Sequence, residues 1–295
     1  MNKSPGQRLS MGSRVFDSIN VLFLLLVAFI TLYPMYYILI VSISSGEYIV
    51  RGMVNFVPKG ITWDAYKMVF QNRDIWNSYQ NTLLYAGVGT LINIVLTSMC
   101  AYPLSRPDFY GRPVFTFLIV LTMFISGGMI PLYLVINELK LIDTIWAIVL
   151  PPAISTYNMI IMRTFFNSIP MSLQESAYLD GANDLQILFK IILPLSKPIL
   201  ATLTLFYMVS HWNSYFAPML YLNSKAKYPV QIILRDIVVA GEFSEHAGDI
   251  SQNMGIIATN YKFAVIIISV VPILMVYPLL QKHFAKGVMI GAVKG

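Results

Sequence analysis

Residues 175–194 read ESAYLDGANDLQILFKIILP, and this charged segment interrupts a chain that is otherwise almost continuously apolar. Ser172 and Glu175 form the S-x-x-E pattern of a capping box, in which each side chain pairs with a free backbone amide at a helix start. The pattern predicts a helix that begins near Ser172 and runs to about Asp180. Gly181 suits the left-handed residue that ends such a helix.

A second helix is predicted directly after this glycine. Asn183 or Asp184 can cap its start, and Lys190 lies in its last turn, where a cation complements the helix dipole. The helix is predicted to end at Pro194. A polar, structured insert between apolar segments is typical of a contact site, although local physics alone leaves a solvated interhelical loop as an equal alternative.

Composition indicates an integral membrane protein. Of the 295 residues, 57% are hydrophobic and only 12% are charged, and the mean hydropathy is +0.66. The single cysteine, Cys100, excludes a disulfide within the chain. Six stretches are long enough to cross a bilayer, which leaves no room for a large soluble domain. They are residues 18–44, 78–103, 113–136, 143–163, 198–222 and 262–282.

Helix-breaking residues lie inside two of these stretches. Pro34 in the first, and Gly127, Gly128 and Pro131 in the third, predict kinks or broken helices. Six spans place both termini on one side of the membrane. Lysine and arginine are slightly more numerous on the side of the N-terminus, which favours a cytoplasmic location for both termini.

The scarcity of ionisable side chains inside the six stretches limits the transport mechanisms that the chain could use. His211 is the only side chain of the Asp, Glu, His, Lys and Arg set well inside a stretch, because Asp143 and Lys262 lie at ends. Proton-coupled carriers keep such groups at depth, so proton coupling is disfavoured. The chain also lacks a phosphate-binding loop, a zinc-binding histidine pair and a nucleophile elbow. If ATP powers transport, another subunit binds it.

Two alternatives from other classes stay open at this point. A sodium-coupled secondary carrier or a channel could use uncharged carbonyl and hydroxyl ligands, and would predict an inverted repeat and uptake without ATP. A membrane-embedded enzyme would need a nucleophile with a base, yet no catalytic pattern surrounds the three histidines. Neither alternative explains a helix-glycine-helix insert.

The insert resembles the EAA signature of ABC importer permeases, E-A-A-x3-G-x9-I-x-L-P. Only Ser176 departs from that pattern, where alanine is usual, and the substitution keeps the residue small. Two further segments resemble the carbohydrate-importer branch, in the subgroup for complex oligosaccharides such as aldouronate or alginate fragments. The signature positions are Glu175, Ser176, Ala177, Gly181, Ile191, Leu193 and Pro194, and the two segments are residues 127–155 and 205–222.

This resemblance implies an all-α membrane protein with the type I ABC importer permease fold, similar to the smaller membrane subunit of the maltose importer. The implied location is the bacterial cytoplasmic (inner) membrane. The expected parts are a cytoplasmic N-terminal segment (1–17), a six-span domain (18–283) with a cytoplasmic EAA coupling loop (164–197), and a cytoplasmic tail (284–295).

The resemblance also implies partners. They are a second homologous permease, two ATP-binding subunits that carry ATP and Mg, and an extracytoplasmic sugar-binding protein. The chain itself is then no enzyme, holds no cofactor or metal and contacts no nucleic acid. The expected coupling surface comprises Glu175, Ser176, Ala177, Asp180, Gly181, Ala182, Leu193 and Pro194. The tail residues expected to touch the ATPase are Lys286, Gly287, Met289 and Gly291, with a basic tail lying on anionic lipid as the alternative.

Sugar contacts are predicted from residue chemistry, because aromatic faces and amide or hydroxyl groups bind saccharides. Hydrogen bonds between helices, and aromatic anchors at the membrane interface, are the alternatives for the same residues. The pI of about 9.2 suits an acidic sugar, but membrane insertion explains the basic charge better. The candidates are His211, Trp212, Asn213 and Tyr215, then Tyr157 and Asn158, then Asn93 with Thr97.

Overall fold

The computed structural model describes residues 11–247 and 260–276, and every regular element among them is helical. A π-helical turn at Leu188–Ile192 and a 3₁₀ turn at Lys225–Lys227 join the α-helices. The α-helices are α1 (Met11–Ser42), α2 (Gly46–Val50), α3 (Asp64–Gln71), α4 (Arg73–Ser105), α5 (Arg112–Leu121), α6 (Met129–Glu138), α7 (Trp146–Val149), α8 (Thr156–Asn167), α9 (Met171–Leu179), α10 (Asp184–Ile187), α11 (Leu193–Leu195), α12 (Lys197–Trp212), α13 (Phe216–Tyr221), α14 (Val230–Ala247) and α15 (Asn260–Val276).

Two of the described helices are long and apolar enough to cross a membrane unbroken. They are α1, which continues through Pro34, and α4. A third candidate combines the segment Asp184–Leu195 with α12, and the two parts are bent by 87°. The first two apolar stretches of the sequence therefore coincide with single helices.

The next three stretches are broken into shorter helices. The break between α5 and α6 was predicted, and Gly128 there has a φ of 86°. The breaks between α7 and α8, and between α12 and α13, were not predicted. Pro151 and Pro152 lie in the first of these, and proline lacks the amide that a continuing helix requires. The sixth stretch coincides in part with α15, and residues 277–282 lie outside the described residues.

Of the described residues, 11–71, 238–247 and 260–268 form one structural unit. The C-terminal end of α1 packs there through Ile40 and Val41, which share a small core with Val54. Ser42 Oγ lies 2.7 Å from the hydroxyl of Tyr66 on α3, which ties this short outer helix to α1. Most of α1 upstream of this core is exposed and apolar, as expected for a helix surrounded by lipid.

Of the described residues, 72–237 and 269–276 form the second unit, in which α4 packs against α8 and α12. Its largest core joins the C-terminal half of α4 to α8, α9, α10 and α12. The core therefore places the predicted insert directly against the end of α4. Its buried members are Ala101, Tyr102, Leu104, Met159, Met162, Phe166, Ala177, Ile187, Leu188, Ile192, Ile199, Leu203 and Tyr207.

A buried amide holds the break before α8 against α4. Asn93 Nδ2 donates to the carbonyls of Pro152 at 2.6 Å and Ala153 at 2.9 Å. Because the amide nitrogen is used there, Asn93 Oδ1 is the acceptor for His211 Nε2 of α12 at 2.7 Å. The backbone groups that the break frees are thus satisfied by a side chain, as an apolar environment requires.

A second polar tie lies one helical turn further along α4. Thr97 Oγ1 and the Tyr207 hydroxyl are 2.8 Å apart, and the Ser155 amide donates to the same hydroxyl at 3.2 Å. Ser155 also caps α8, by accepting from the amide of Asn158 at 3.4 Å. Together the two ties join α4, α8 and α12 with hydrogen bonds.

We predict that Gly89→Ala destabilises the protein whereas Gly87→Ala does not. A Cβ at Gly89 would lie 2.4 Å from His211 Nε2, but a Cβ at Gly87 meets nothing within 4 Å. Overpacking of this kind costs about 1–3 kcal/mol. The measurement is thermal unfolding of the detergent-purified variants. Equal midpoints for the two variants would contradict the close approach of His211 to α4.

Candidate functional site

The helix of the predicted insert begins earlier than its sequence indicates. α9 starts at Met171 with Pro170 as N-cap, and Ser172 lies inside the first turn. The predicted capping box of Ser172 and Glu175 is therefore wrong. Pro170 has a ψ of 131° and so lies outside the helix, and no side chain caps the helix start. Ser172 accepts through its backbone carbonyl from Ser176 Oγ at 2.9 Å.

The end of α9 follows the prediction closely. Asp180 is the C-cap, and Gly181 has a φ of 82°. The Gly181 amide donates to the carbonyl of Tyr178 at 3.0 Å, and the Ala182 amide donates to that of Ala177 at 2.9 Å. This pair of bonds is the Schellman motif, which fixes the direction in which the chain leaves the helix.

The next helix begins at once with a complete capping box. Asn183 Oδ1 accepts from the Gln186 amide at 2.9 Å, and Gln186 Oε1 accepts from the Asn183 amide at 3.0 Å. Asn183 was one of the two predicted caps. Two consecutive capping motifs leave this corner little freedom to bend.

The predicted end at Pro194 is confirmed to within one residue, since the helical segment Asp184–Leu195 ends at Leu195. A π-helical turn joins α10 to α11, so Pro194 lies inside a continuous helical segment. The chain bends only at Ser196, between α11 and α12. Lys190 lies in the last turn of the π-helical segment.

The expected coupling residues divide by exposure. Ala177 is buried in the core, whereas Ala182 and Leu193 are half-buried. Glu175, Ser176, Asp180, Gly181 and Pro194 are exposed. Sequence reasoning missed Leu179, an apolar side chain that is 90% exposed at the tip of the insert. Gln174 and Ala177 lie on the buried face of α9, and Leu179 does not follow their helical spacing, so its exposure could have been predicted.

The insert is anchored to α4 by Arg106, which sequence reasoning also missed. Arg106 is only 7% exposed and donates from Nη1 to Gln174 Oε1 at 2.6 Å and to the Tyr102 hydroxyl at 3.2 Å. Its Nε and Nη2 each donate at 3.0 Å to the carboxylate of Asp108. This bidentate bond raises the pKa of the guanidinium and lowers that of the carboxyl. Arg106 therefore stays charged while buried.

A cleft of about 430 Å³ lies beside this arginine. The guanidinium faces the ring of Tyr178 at 5.1 Å, and the Tyr178 hydroxyl donates to Asp184 at the start of α10. Burial is the main cause that raises the pKa of this hydroxyl. The cleft wall thus connects α4, α9 and α10.

The candidate sugar residues also divide by exposure. The side chains of His211, Asn93 and Thr97 are buried and hydrogen-bonded within the protein. Asn158 is also buried, and its backbone amide donates to Ser155. Buried Trp212 donates from Nε1 to the carbonyl of Ser269 at 3.2 Å. Tyr157 is 59% exposed, Tyr215 is 46% exposed, and Asn213 is exposed as well. The tail candidates Lys286, Gly287, Met289 and Gly291 lie outside the described residues.

A separate polar cluster holds the loops at the opposite end of α4. Asp143, with a φ of 60°, accepts from the amides of Asn223 and Ser224 at 3.0 Å each and from Lys227 Nζ at 2.7 Å. The bond from Lys227 is the main cause that holds the pKa of Asp143 well below its usual range. Asn81 of α4 donates to the carbonyl of Ala226 at 2.7 Å. Asn81 and Arg106 lie about 37 Å apart along the helix at 1.5 Å per residue.

The chain matches a family model described as the binding-protein-dependent transport system inner membrane component, over residues 93–290. It is 44% identical over 289 residues to the polygalacturonan/rhamnogalacturonan transport system permease protein YtcP of Bacillus subtilis (strain 168), covering 97% of this chain and 100% of that protein. Protein LplC of the same organism is 43% identical over 282 residues, covering 96% of each.

A solved structure is also similar along its whole length. A chain of a bacterial ABC transporter involved in the import of the acidic polysaccharide alginate superposes with a TM-score of 0.86 at 38% identity, covering 95% of this chain and 100% of that one. These matches extend over the insert, α4 and α12 together.

We predict that Asn183→Ala loosens the insert whereas Ser172→Ala leaves it unchanged. The first substitution removes a cap that accepts a backbone hydrogen bond, and such a loss costs about 1 kcal/mol. The second removes a hydroxyl inside a helix, where alanine is a better helix former. Hydrogen exchange at the amides of residues 184–188 measures the difference. Faster hydrogen exchange in Ser172→Ala than in Asn183→Ala would contradict this prediction and support the capping box that the sequence predicted at Ser172.

Proposed function

Because the chain belongs to the family of binding-protein-dependent transport system inner membrane components, we propose that it is the permease subunit of an ATP-driven importer for oligosaccharides. The match to the alginate transporter chain over its full length carries this proposal. The exposed corner between α9 and α10 supports it, because two capping motifs and a buried arginine hold that corner in one conformation.

The proposal places six spans in the bacterial inner membrane, within residues 18–283. Broken helices such as α5 with α6, α7 with α8, and α12 with α13 would complete spans alongside α1, α4 and α15. The separation of about 37 Å between Asn81 and Arg106 along α4 exceeds the roughly 30 Å of a hydrocarbon core. The insert and the Asp143 cluster would then lie on opposite sides of the membrane.

The insert is proposed as the cytoplasmic surface that contacts an ATPase, within the loop 164–197. Residues 1–17 and the tail 284–295 would lie on the same side, with Lys286, Gly287, Met289 and Gly291 reaching the ATPase. Leu179 supplies an apolar side chain for a groove on that partner, and the acidic residues beside it would form the polar rim. The exposed polar members are Glu175, Ser176 and Asp180.

The proposed assembly contains a second homologous permease, two ATP-binding subunits and an extracytoplasmic sugar-binding protein. ATP and Mg would bind to the ATPase subunits. One solved chain with the same fold, at a TM-score of 0.62 and 18% identity, comes from an alginate ABC transporter in complex with a periplasmic protein that holds an alginate pentasaccharide. Closure of the ATPases would move the insert and change the packing of the two permeases.

Acidic oligosaccharides are the proposed substrates. Two relatives that match this chain along nearly its full length, at 44% and 38% identity, are a polygalacturonan/rhamnogalacturonan transport system permease and a chain of an alginate importer. These polysaccharides all contain uronic acids, whereas the permeases named for arabinooligosaccharides and galactooligosaccharides are only 25% and 28% identical to this chain. Tyr157, Asn213 and Tyr215 are the proposed contacts of the pathway, because their side chains are exposed. His211 and Asn93 are hydrogen-bonded to each other, which supports a role for this pair in helix packing.

We predict ATP-dependent uptake of short oligogalacturonates or alginate oligosaccharides. The complete transporter, in proteoliposomes with its binding protein, should accumulate a labelled acidic tetrasaccharide and leave a neutral tetrasaccharide of similar length outside. A sodium gradient without ATP should drive no uptake. Uptake driven by sodium alone would favour the secondary-carrier alternative instead.

We also predict that Gly181→Val uncouples ATP hydrolysis from uptake. A β-branched residue disfavours a φ of 82°, so the Schellman motif should open and the corner should lose its direction. Uptake per ATP should fall about tenfold, within the range that single substitutions change coupling. The measurement is uptake and ATP hydrolysis in the same proteoliposomes.

Two variants serve as controls for this effect. Gly181→Asn should retain most uptake, because asparagine tolerates the left-handed conformation. Gly52→Val introduces the same strain outside the insert, since Gly52 has a φ of 66° and open space around it, and should not uncouple. Normal uptake by Gly181→Val would refute the coupling assignment.

A further inference from the structure

The chain joins α9 to core helices on both sides. Residues 168–170 connect it to α8, and on the other side α10, the π-helical turn and α11 lead to an 87° bend before α12. Ser196 at the bend has non-helical backbone angles, and its buried Oγ has no hydrogen-bond partner among the described residues. Neither of these two covalent connections joins α9 to α4 directly.

The connection between α9 and α4 is non-covalent and direct. Arg106 immediately follows α4, and its guanidinium binds Gln174 of α9 while Asp108 holds the same group in a bidentate bond. The ring of Tyr178, one turn further along α9, packs against the guanidinium. α9 is thus held at two points by a planar, buried group with few accessible orientations.

We propose that Arg106 is a positioning residue that makes α9 and α4 move as one body. Motion of the insert then passes straight into the helix that carries Asn93 and Thr97. Through these two residues α4 is bonded to α12 and to the start of α8. The inference rests on the proposed function, since it assigns a role in the transmission of ATPase motion.

A buried arginine is a costly choice for holding two helices together. Apolar residues of similar volume often stabilise a core as well as a buried ion pair does. What the guanidinium adds is a fixed geometry, because three partners define its position and orientation at once. The test must therefore separate loss of geometry from loss of stability.

The experiment compares four variants of the complete transporter in proteoliposomes with its binding protein. Gln174→Leu removes the acceptor at similar volume, and Gln174→Glu keeps an acceptor for the guanidinium. Arg106→Lys keeps the charge but cannot make the bidentate bond and reach Gln174 together. Arg51→Lys is the matched control, because Arg51 forms an exposed ion pair with Glu47. Uptake of the acidic tetrasaccharide and ATP hydrolysis are measured together.

Gln174→Leu and Arg106→Lys should hydrolyse ATP while their uptake per ATP falls about tenfold. Gln174→Glu and Arg51→Lys should stay within about twofold of the parent, since a carboxylate accepts from arginine at least as well as an amide does. An unchanged ratio in Gln174→Leu overturns the inference. Failure of both Gln174→Leu and Arg106→Lys to assemble also overturns it, because the network would then serve folding. Absence of ATP-dependent uptake in the parent would instead refute the proposed function.

Discussion

The amide of Asn93 satisfies two carbonyls that the break before α8 leaves without helical partners, and the packing of α4, α8 and α12 depends on this bond. A chain with mostly apolar surroundings cannot leave such carbonyls to water. The same amide sets the acceptor for His211, and Gly89 provides the space for the imidazole ring. A broken helix is thus compatible with a tightly packed neighbour because one side chain completes its hydrogen bonds.

The insert shows how a polar loop can be as stiff as the helices it joins. The Schellman motif at Gly181 and the capping box at Asn183 each engage two backbone amides in hydrogen bonds. Few backbone amides of the corner are therefore free to form other hydrogen bonds. Burial of Ala177 and Ile187 fixes one face of the corner against the core. Its free face carries Leu179, and stiffness of this kind is what a surface needs if it is to transmit motion from a partner.

Sequence patterns predicted correctly those structural features that depend on only a few neighbouring residues. Gly181, Asn183 and the break near Gly128 were predicted correctly, because a left-handed glycine, an N-cap and a helix breaker act within a few residues. The predicted cap at Ser172 was wrong because the N-cap is Pro170, two residues earlier than the S-x-x-E pattern indicates. The hydrogen bond between Arg106 and Gln174 was missed because the two residues lie far apart in the chain, and hydrophobic periodicity does not indicate such a contact.

The exposed apolar surfaces of α1 and of Leu179 differ in extent and in their surroundings. α1 exposes apolar side chains along most of its length, and it is long and apolar enough to cross a lipid bilayer. Leu179 is a single exposed leucine beside Asp180 and Gly181, beyond the polar end of α4 marked by Arg106. Lipid does not favour an apolar side chain surrounded by charges and backbone amides, whereas a protein groove with polar edges does. The two exposed apolar surfaces therefore differ in their surroundings, since one extends along an apolar helix and the other is a single leucine at a polar corner.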